Sequence, residues 1–114
     1  MVNQYERAFR AWPTLTETAE AHAKITYAQL AQHLGIHPRP IRYVLAVIQD
    51  HCLDEKLPPL TILVVNQHGR PGEGFIAWDV DDLDKGYERV WAYPWQLLPN
   101  PFAFAGDAGQ EFER

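Results

Sequence analysis

Apolar residues recur at helical spacing near the start of the chain, where Tyr5, Phe9 and Trp12 are separated by four and three positions. This predicts a helix from Asn3 to Trp12. Pro13 has no amide hydrogen for a helix interior, so a stop is expected there, followed by an alanine-rich helix from Thr14 to Lys24. Thr14 with Glu17 three residues on has the form of a capping box. The alternative is one longer helix kinked at Pro13.

A second capping box, Thr26 with Gln29, opens the clearest element. Tyr27, Leu30, Ala31 and Leu34 form its predicted buried stripe, and Gly35 is its expected stop. Pro38 and Pro40 suit a turn and a first helical position. The next helix is predicted to run to about Leu53. Ile41, Val44, Leu45, Ile48 and Cys52 point inward in this reading, with Arg42, Tyr43, Ala46, Gln49 and Asp50 on other faces. Two short helices joined by a turn, with Arg39 and Arg42 where the second begins, is how a helix-turn-helix presents a reading helix to DNA.

The pattern then changes. Pro58-Pro59 forces extended backbone, and Leu60 to Asn66 is a short, nearly continuous apolar run rich in β-branched residues, read as a strand. Gln67 to Gly72 is a turn, and Gly74 to Trp78 is the expected returning strand of a hairpin or wing. Asp79 to Tyr93 reads as a last helix with Leu83, Tyr87, Val90 and Trp91 as its apolar stripe. Pro94 to Phe102 is extended and aromatic, and is expected to pack across the core. The predicted fold is α+β: a winged helix with flanking N- and C-terminal helices, one domain over residues 1–105, and a flexible acidic tail over 106–114.

Composition narrows the function classes. A chain of 114 residues, 46% hydrophobic, is large enough to bury one core. No apolar run approaches the roughly 18 to 20 residues of a membrane helix, and the first residues lack a secretory apolar core. With the single Cys52, this leads us to expect a reducing, cytoplasmic setting and no association with a membrane. The net charge of −5 has the wrong sign for a protein that coats nucleic acid. The charge is uneven, however. Residues 1–53 carry Arg7, Arg10, Lys24, Arg39 and Arg42 against Glu6, Glu17, Glu20 and Asp50, so the acidic excess lies entirely beyond Leu53.

The order helix, turn, helix, apolar run ending in Val64-Val65-Asn66, then a turn containing Gly69, resembles the DNA-binding domain of O6-alkylguanine-DNA alkyltransferases and alkyltransferase-like proteins. The similarity spans about Ile25 to Gly72. Thr26-Tyr27 and Leu30-Ala31 match that family's first-helix pattern, and Ile41-Arg42-Tyr43-Val44 its recognition-helix pattern. The resemblance implies that Tyr27 crowds a phosphate and that Arg42 enters the base stack in place of an extruded nucleotide. A planar, charged guanidinium suits that task. In the family, Pro-Cys-His-Arg stands just before the Val-Val-Asn. Here those places hold Leu60-Thr61-Ile62-Leu63, so Thr61 takes the place of the alkyl-accepting cysteine and Ile62 that of the histidine. A threonine hydroxyl without a neighbouring base is a poor acceptor, so no enzymatic activity is expected.

Other candidate chemistry is weaker. His33, His37, His51 and His68 invite a metal reading, but zinc needs three or four convergent ligands and Gly35 separates the first two, so no metal and no cofactor is expected. Asp79, Asp81, Asp82 and Asp84 read as a helix start favoured by the helix dipole rather than a magnesium site. The glycines between Gly69 and Gly74 lack the Lys-Ser/Thr ending of a phosphate loop. The expected function is non-enzymatic DNA binding of alkyltransferase-like type, directed at altered or flipped bases. Tyr27, Arg39, Arg42 and Tyr43 are the expected contacts, with Arg70 as a wing contact. The alternative is a protein-interaction module of a bacterial or phage regulatory or defence complex, binding a protein partner through the acidic and aromatic C-terminal half. The sequence leaves the oligomeric state open.

Overall fold

The computed structural model describes residues 3–104; the tail expected over 106–114 lies outside the described residues. Helix α1 (Gln4–Glu20) is continuous through Pro13, so the longer-helix alternative describes it and the expected stop does not occur. Proline leaves the carbonyl four residues earlier without its helical donor. That carbonyl belongs to Phe9, and the side-chain amide of Asn100 donates to it at 2.8 Å. A residue 91 positions away thus supplies the hydrogen bond that Pro13 cannot. Asn3, not Thr14, caps α1, its side chain accepting from the Tyr5 and Glu6 amides. Thr14 sits inside the helix, where its carbonyl accepts from the Thr18 hydroxyl.

Strand β1 (Ile25–Thr26) leads directly into α2 (Tyr27–Leu34). The Thr26–Gln29 capping box forms in both directions, and Gly35 ends the helix at φ 69°, a left-handed conformation that glycine adopts without steric cost. The Arg10 guanidinium donates to the Leu34 carbonyl at 2.9 Å and ties this end of α2 to α1. Helix α3 (Ile41–Asp54) follows the Pro38–Pro40 turn. Its expected inward residues Ile41, Val44, Leu45, Ile48 and Cys52 are all buried. Gln49, expected on an outer face, is buried as well.

The apolar run after Pro59 differs from the expected strand. Leu60–Leu63 is a turn of 3-10 helix, and only strand β2 (Val64–Val65) is extended. The cause is burial on all sides. Helix α1, α3 and a later helix, α4 (Leu83–Ala92), all pack on Leu60–Leu63, and every one of its side chains is buried, so no face alternates with solvent. Strand β2 pairs with β1 in parallel, Ile25 opposite Val64 and Thr26 opposite Val65, with α2 and α3 forming the crossover that a parallel pair requires.

The returning strand expected at Gly74–Trp78 is absent, and with it the hairpin. A single antiparallel bridge, Val65 to Pro71, closes the 66–70 turn. Beyond it, the Gly74 carbonyl and the Ile76 amide, which a neighbouring strand would have paired, are taken by the side chain of Gln49. The predicted last helix is divided: Val80–Asp82 is a 3-10 turn capped by Asp79, and α4 begins at Leu83. Tyr87 and Val90 are buried, as the stripe requires. The C-terminal aromatics close the core. Trp95 packs edge-on against Trp12 at 5.7 Å and donates from its indole nitrogen to the Val90 carbonyl. Among the described residues the result is an α+β unit with helices α1 to α4 and a small two-stranded parallel sheet.

Candidate functional site

The exposed start of α3 is set by the proline turn before it and carries no side-chain cap. Pro40 precedes its first turn, so Arg42 and Tyr43 emerge directly from the α2–α3 turn and both stand in solvent. The Arg42 guanidinium donates to the Tyr43 hydroxyl at 2.8 Å and lies 4.8 Å from the centre of that ring. Arg39 is exposed in the turn itself, where its amide donates to His37 Nδ1. Among the described C-terminal aromatics, Trp95 and Phe102 pack on Trp12, away from this surface, and Phe102 also meets His51 in the last turn of α3.

Behind Arg42 is a cavity of about 80 Å³. Tyr27 from α2, Arg42, Ala46 and Gln49 from α3, Thr61 from the 3-10 turn, and Gly72 and Phe75 from the following segment all line it. Two of the sequence-predicted residues, Tyr27 and Arg42, are therefore brought to one site, together with Thr61. Tyr43 adjoins it through Arg42. Arg70 stands apart, exposed in the 66–70 turn, where its amide donates to the Asn66 side chain and its carbonyl accepts from the Asn66 amide.

The polar groups of this cavity are not alike. The Thr61 hydroxyl oxygen is buried and has no hydrogen-bond partner. Tyr27 is half-buried, and burial raises its phenol above the usual range, with the nearby Gly72 backbone opposing. The fit against Gly72 is close: a Cβ added there would collide with the Tyr27 hydroxyl. Ile62 is wholly buried in the position next to Thr61, so no side-chain base adjoins the hydroxyl in sequence. The Thr61 hydroxyl can donate and accept a hydrogen bond.

No family model, curated protein or solved structure matches this chain. The site is therefore read from its own geometry. Among the described residues no three His, Cys, Asp or Glu side chains come together as a metal centre would require, and no helix is long and apolar enough to cross a membrane. The aspartates at 79–84 surround the 3-10 turn and the start of α4, with the Asp79 carboxylate accepting from the Asp81 amide.

Gln49, Gly72 and Phe75 were not picked out by sequence pattern. Gln49 carried a usable signal: four residues after Leu45 and three before Cys52, it falls on the inward stripe of α3 despite its polar side chain. Nothing local marks Phe75, because the strand expected there would have directed alternate side chains differently.

Proposed function

We propose that this chain is a non-enzymatic DNA-binding protein of alkyltransferase-like type. In this reading α2 and α3 form a helix-turn-helix whose wing is reduced to the 66–70 turn, and the cavity receives an altered or extruded base. One observation carries the reading. Tyr27, Arg42 and Thr61 come from three different elements, and they line a single cavity beneath the exposed start of α3. These are the three positions to which the sequence resemblance assigns the phosphate-crowding tyrosine, the stack-entering arginine and the place of the alkyl acceptor.

The chemistry is consistent with capture rather than reaction. Arg42 leaves only an exposed hydrogen bond to Tyr43 when it extends toward a duplex, a small loss in water. Its guanidinium would stack where a base had been and keep its charge near the phosphates. Arg39 and Arg70 supply two further exposed cations for backbone contact. Thr61 would hydrogen-bond the edge of the incoming base.

Mobility shifts test this. Short duplexes with one mismatched or alkylated base pair should bind at low salt, and Arg42→Ala should weaken binding about 10- to 100-fold, the scale of losing one charge-assisted, stacked contact. If no duplex binds even at low salt, the reading fails. A protein-interaction module then takes its place, a reading favoured by the exposure of Ile76 (74%) and Val80 (60%) beside the acidic run.

A further inference from the structure

At about 80 Å³ the cavity is smaller than a base requires. An engineered protein cavity of about 150 Å³ is what accommodates a single benzene ring. A purine has two fused rings, so a wall must move before one can enter. Four walls rest on core elements, α2, α3, the 3-10 turn and β2, with the exposed side chains of Arg42 and Ala46 at the rim of the α3 wall. The fifth is residues 72–76, which form no strand and no helix.

Gln49 attaches that wall to α3. Its side-chain nitrogen donates to the Gly74 carbonyl at 3.1 Å, and its oxygen accepts from the Ile76 amide at 2.9 Å. These are contacts across 25 and 27 residues made by one buried carboxamide. The other attachment is the seat of Tyr27 against Gly72. At the Gln49 attachment itself, Gly74 has open space where a side chain would stand. Inside, the Thr61 hydroxyl oxygen is buried and has no hydrogen-bond partner.

We propose that segment 72–76 is a gate over this cavity and that Gln49 is the latch that holds it shut. The identity of the entering ligand, an extruded base, rests on the function proposed above; the latch does not. Opening exposes both the Thr61 hydroxyl and the donor and acceptor of the Gln49 carboxamide. A planar heterocycle with an acceptor beside a donor on one edge replaces the two backbone groups that Gln49 releases. It also gives Thr61 its missing partner. That differential contact is what favours the open state when ligand is present.

Amide hydrogen exchange on the full chain tests the latch without any ligand. The Phe75 amide bonds to the Gly72 carbonyl within the gate, whereas the Asn66 amide bonds to the Arg70 carbonyl outside it. Gln49→Met keeps the side-chain length and removes both latch bonds. Exchange at Phe75 should accelerate about 10- to 100-fold, as expected for two net hydrogen bonds, with Asn66 and the core amide of Ile48 unchanged. Gly72→Ala, which displaces Tyr27 at the other attachment, should also accelerate Phe75 selectively. If Phe75 is unaffected, or accelerates in both variants only in step with Ile48, there is no gate. A duplex with a single 2-aminopurine, whose fluorescence rises as it unstacks, tests the ligand. The wild-type rise should be slow, and Gln49→Met should speed it about 10-fold. No rise with the wild-type protein removes the base-binding reading while the exchange result still decides the latch. A rise at equal rates in both proteins overturns the gate.

Discussion

Cys52 shows how one residue couples burial to pH. It is 1% exposed within α3, and burial pushes its thiol up to about 11, the Leu60 backbone opposing. A group whose pKa is higher folded than unfolded holds its proton more tightly in the native state, so stability falls as pH rises through that interval. Stability should be level up to about pH 8.5, the ordinary thiol value, and then decline toward pH 11 by about 2 to 3 kcal/mol at most from this residue. Tyr27 and Tyr87, both raised mainly by burial, add to the decline above about pH 10. Urea unfolding at pH 7, 9 and 10.5 checks this: the curve for Cys52→Ala should be flatter between 8.5 and 10 than that of the wild type. Equal slopes would mean that the native thiol is as accessible to water as the unfolded one. The burial of Cys52 was legible in the sequence from the stripe Leu45, Ile48, Cys52. That of Gln49 was signalled only by its place on the same stripe; the partners that satisfy its buried carboxamide, Gly74 and Ile76, lie beyond any local pattern.

At the scale of elements, the parts governed by local chemistry were readable and those governed by distant partners were not. The Thr26–Gln29 box and the Gly35 stop are set within one turn of helix, and they form as their residues imply. Thr26→Ala should cost about 1 kcal/mol, measured by urea unfolding, and more than that only if β1 is lost along with the cap. The strand expected over Leu60–Asn66 forms only at Val64–Val65, because over Leu60–Leu63 a 3-10 turn enclosed by three helices has the same unbroken apolar sequence as a strand buried on both faces. Pro13 failed as a stop because Asn100 replaces its missing donor at the Phe9 carbonyl. This last point can be measured. Asn100→Ala should cost about 1 to 3 kcal/mol by leaving that carbonyl unpaired. In a Pro13→Ala background the new amide pairs with Phe9, so the same change should cost about 1 kcal/mol less. Part of the cost remains there, because Asn100 also accepts from the Phe102 amide. A double-mutant cycle with no coupling would mean that the two residues act independently.

The whole molecule sets the electrostatic terms on which any duplex is met. Its net charge of −5 opposes approach to a polyanion, whereas Arg39, Arg42 and Arg70 are exposed and bring three positive charges to the phosphates, Arg42 from within the base stack. Three neutralised phosphates alone would give log affinity a slope of about −2.7 against log salt. The repulsion of the acidic excess acts in the other direction, since added salt screens it, so the observed slope should be shallower. Asp81, Asp82 and Asp84 are exposed, and replacing all three with asparagine leaves the Asp79 cap of the 3-10 turn in place. That variant should bind a short duplex about 3- to 10-fold tighter than wild type at 20 mM salt, where the screening length exceeds about 20 Å. The two proteins should converge near 150 mM, where screening has fallen to about 8 Å and only local contacts persist. The variant's slope should accordingly be the steeper one, approaching the three-phosphate value. Affinity titrations of both proteins across that range distinguish the cases. Equal binding at low salt would place the acidic run outside the field of the interface. Binding indifferent to salt in both would mean that the arginines meet no phosphates, and the exposed start of α3 would then be a surface for a protein partner.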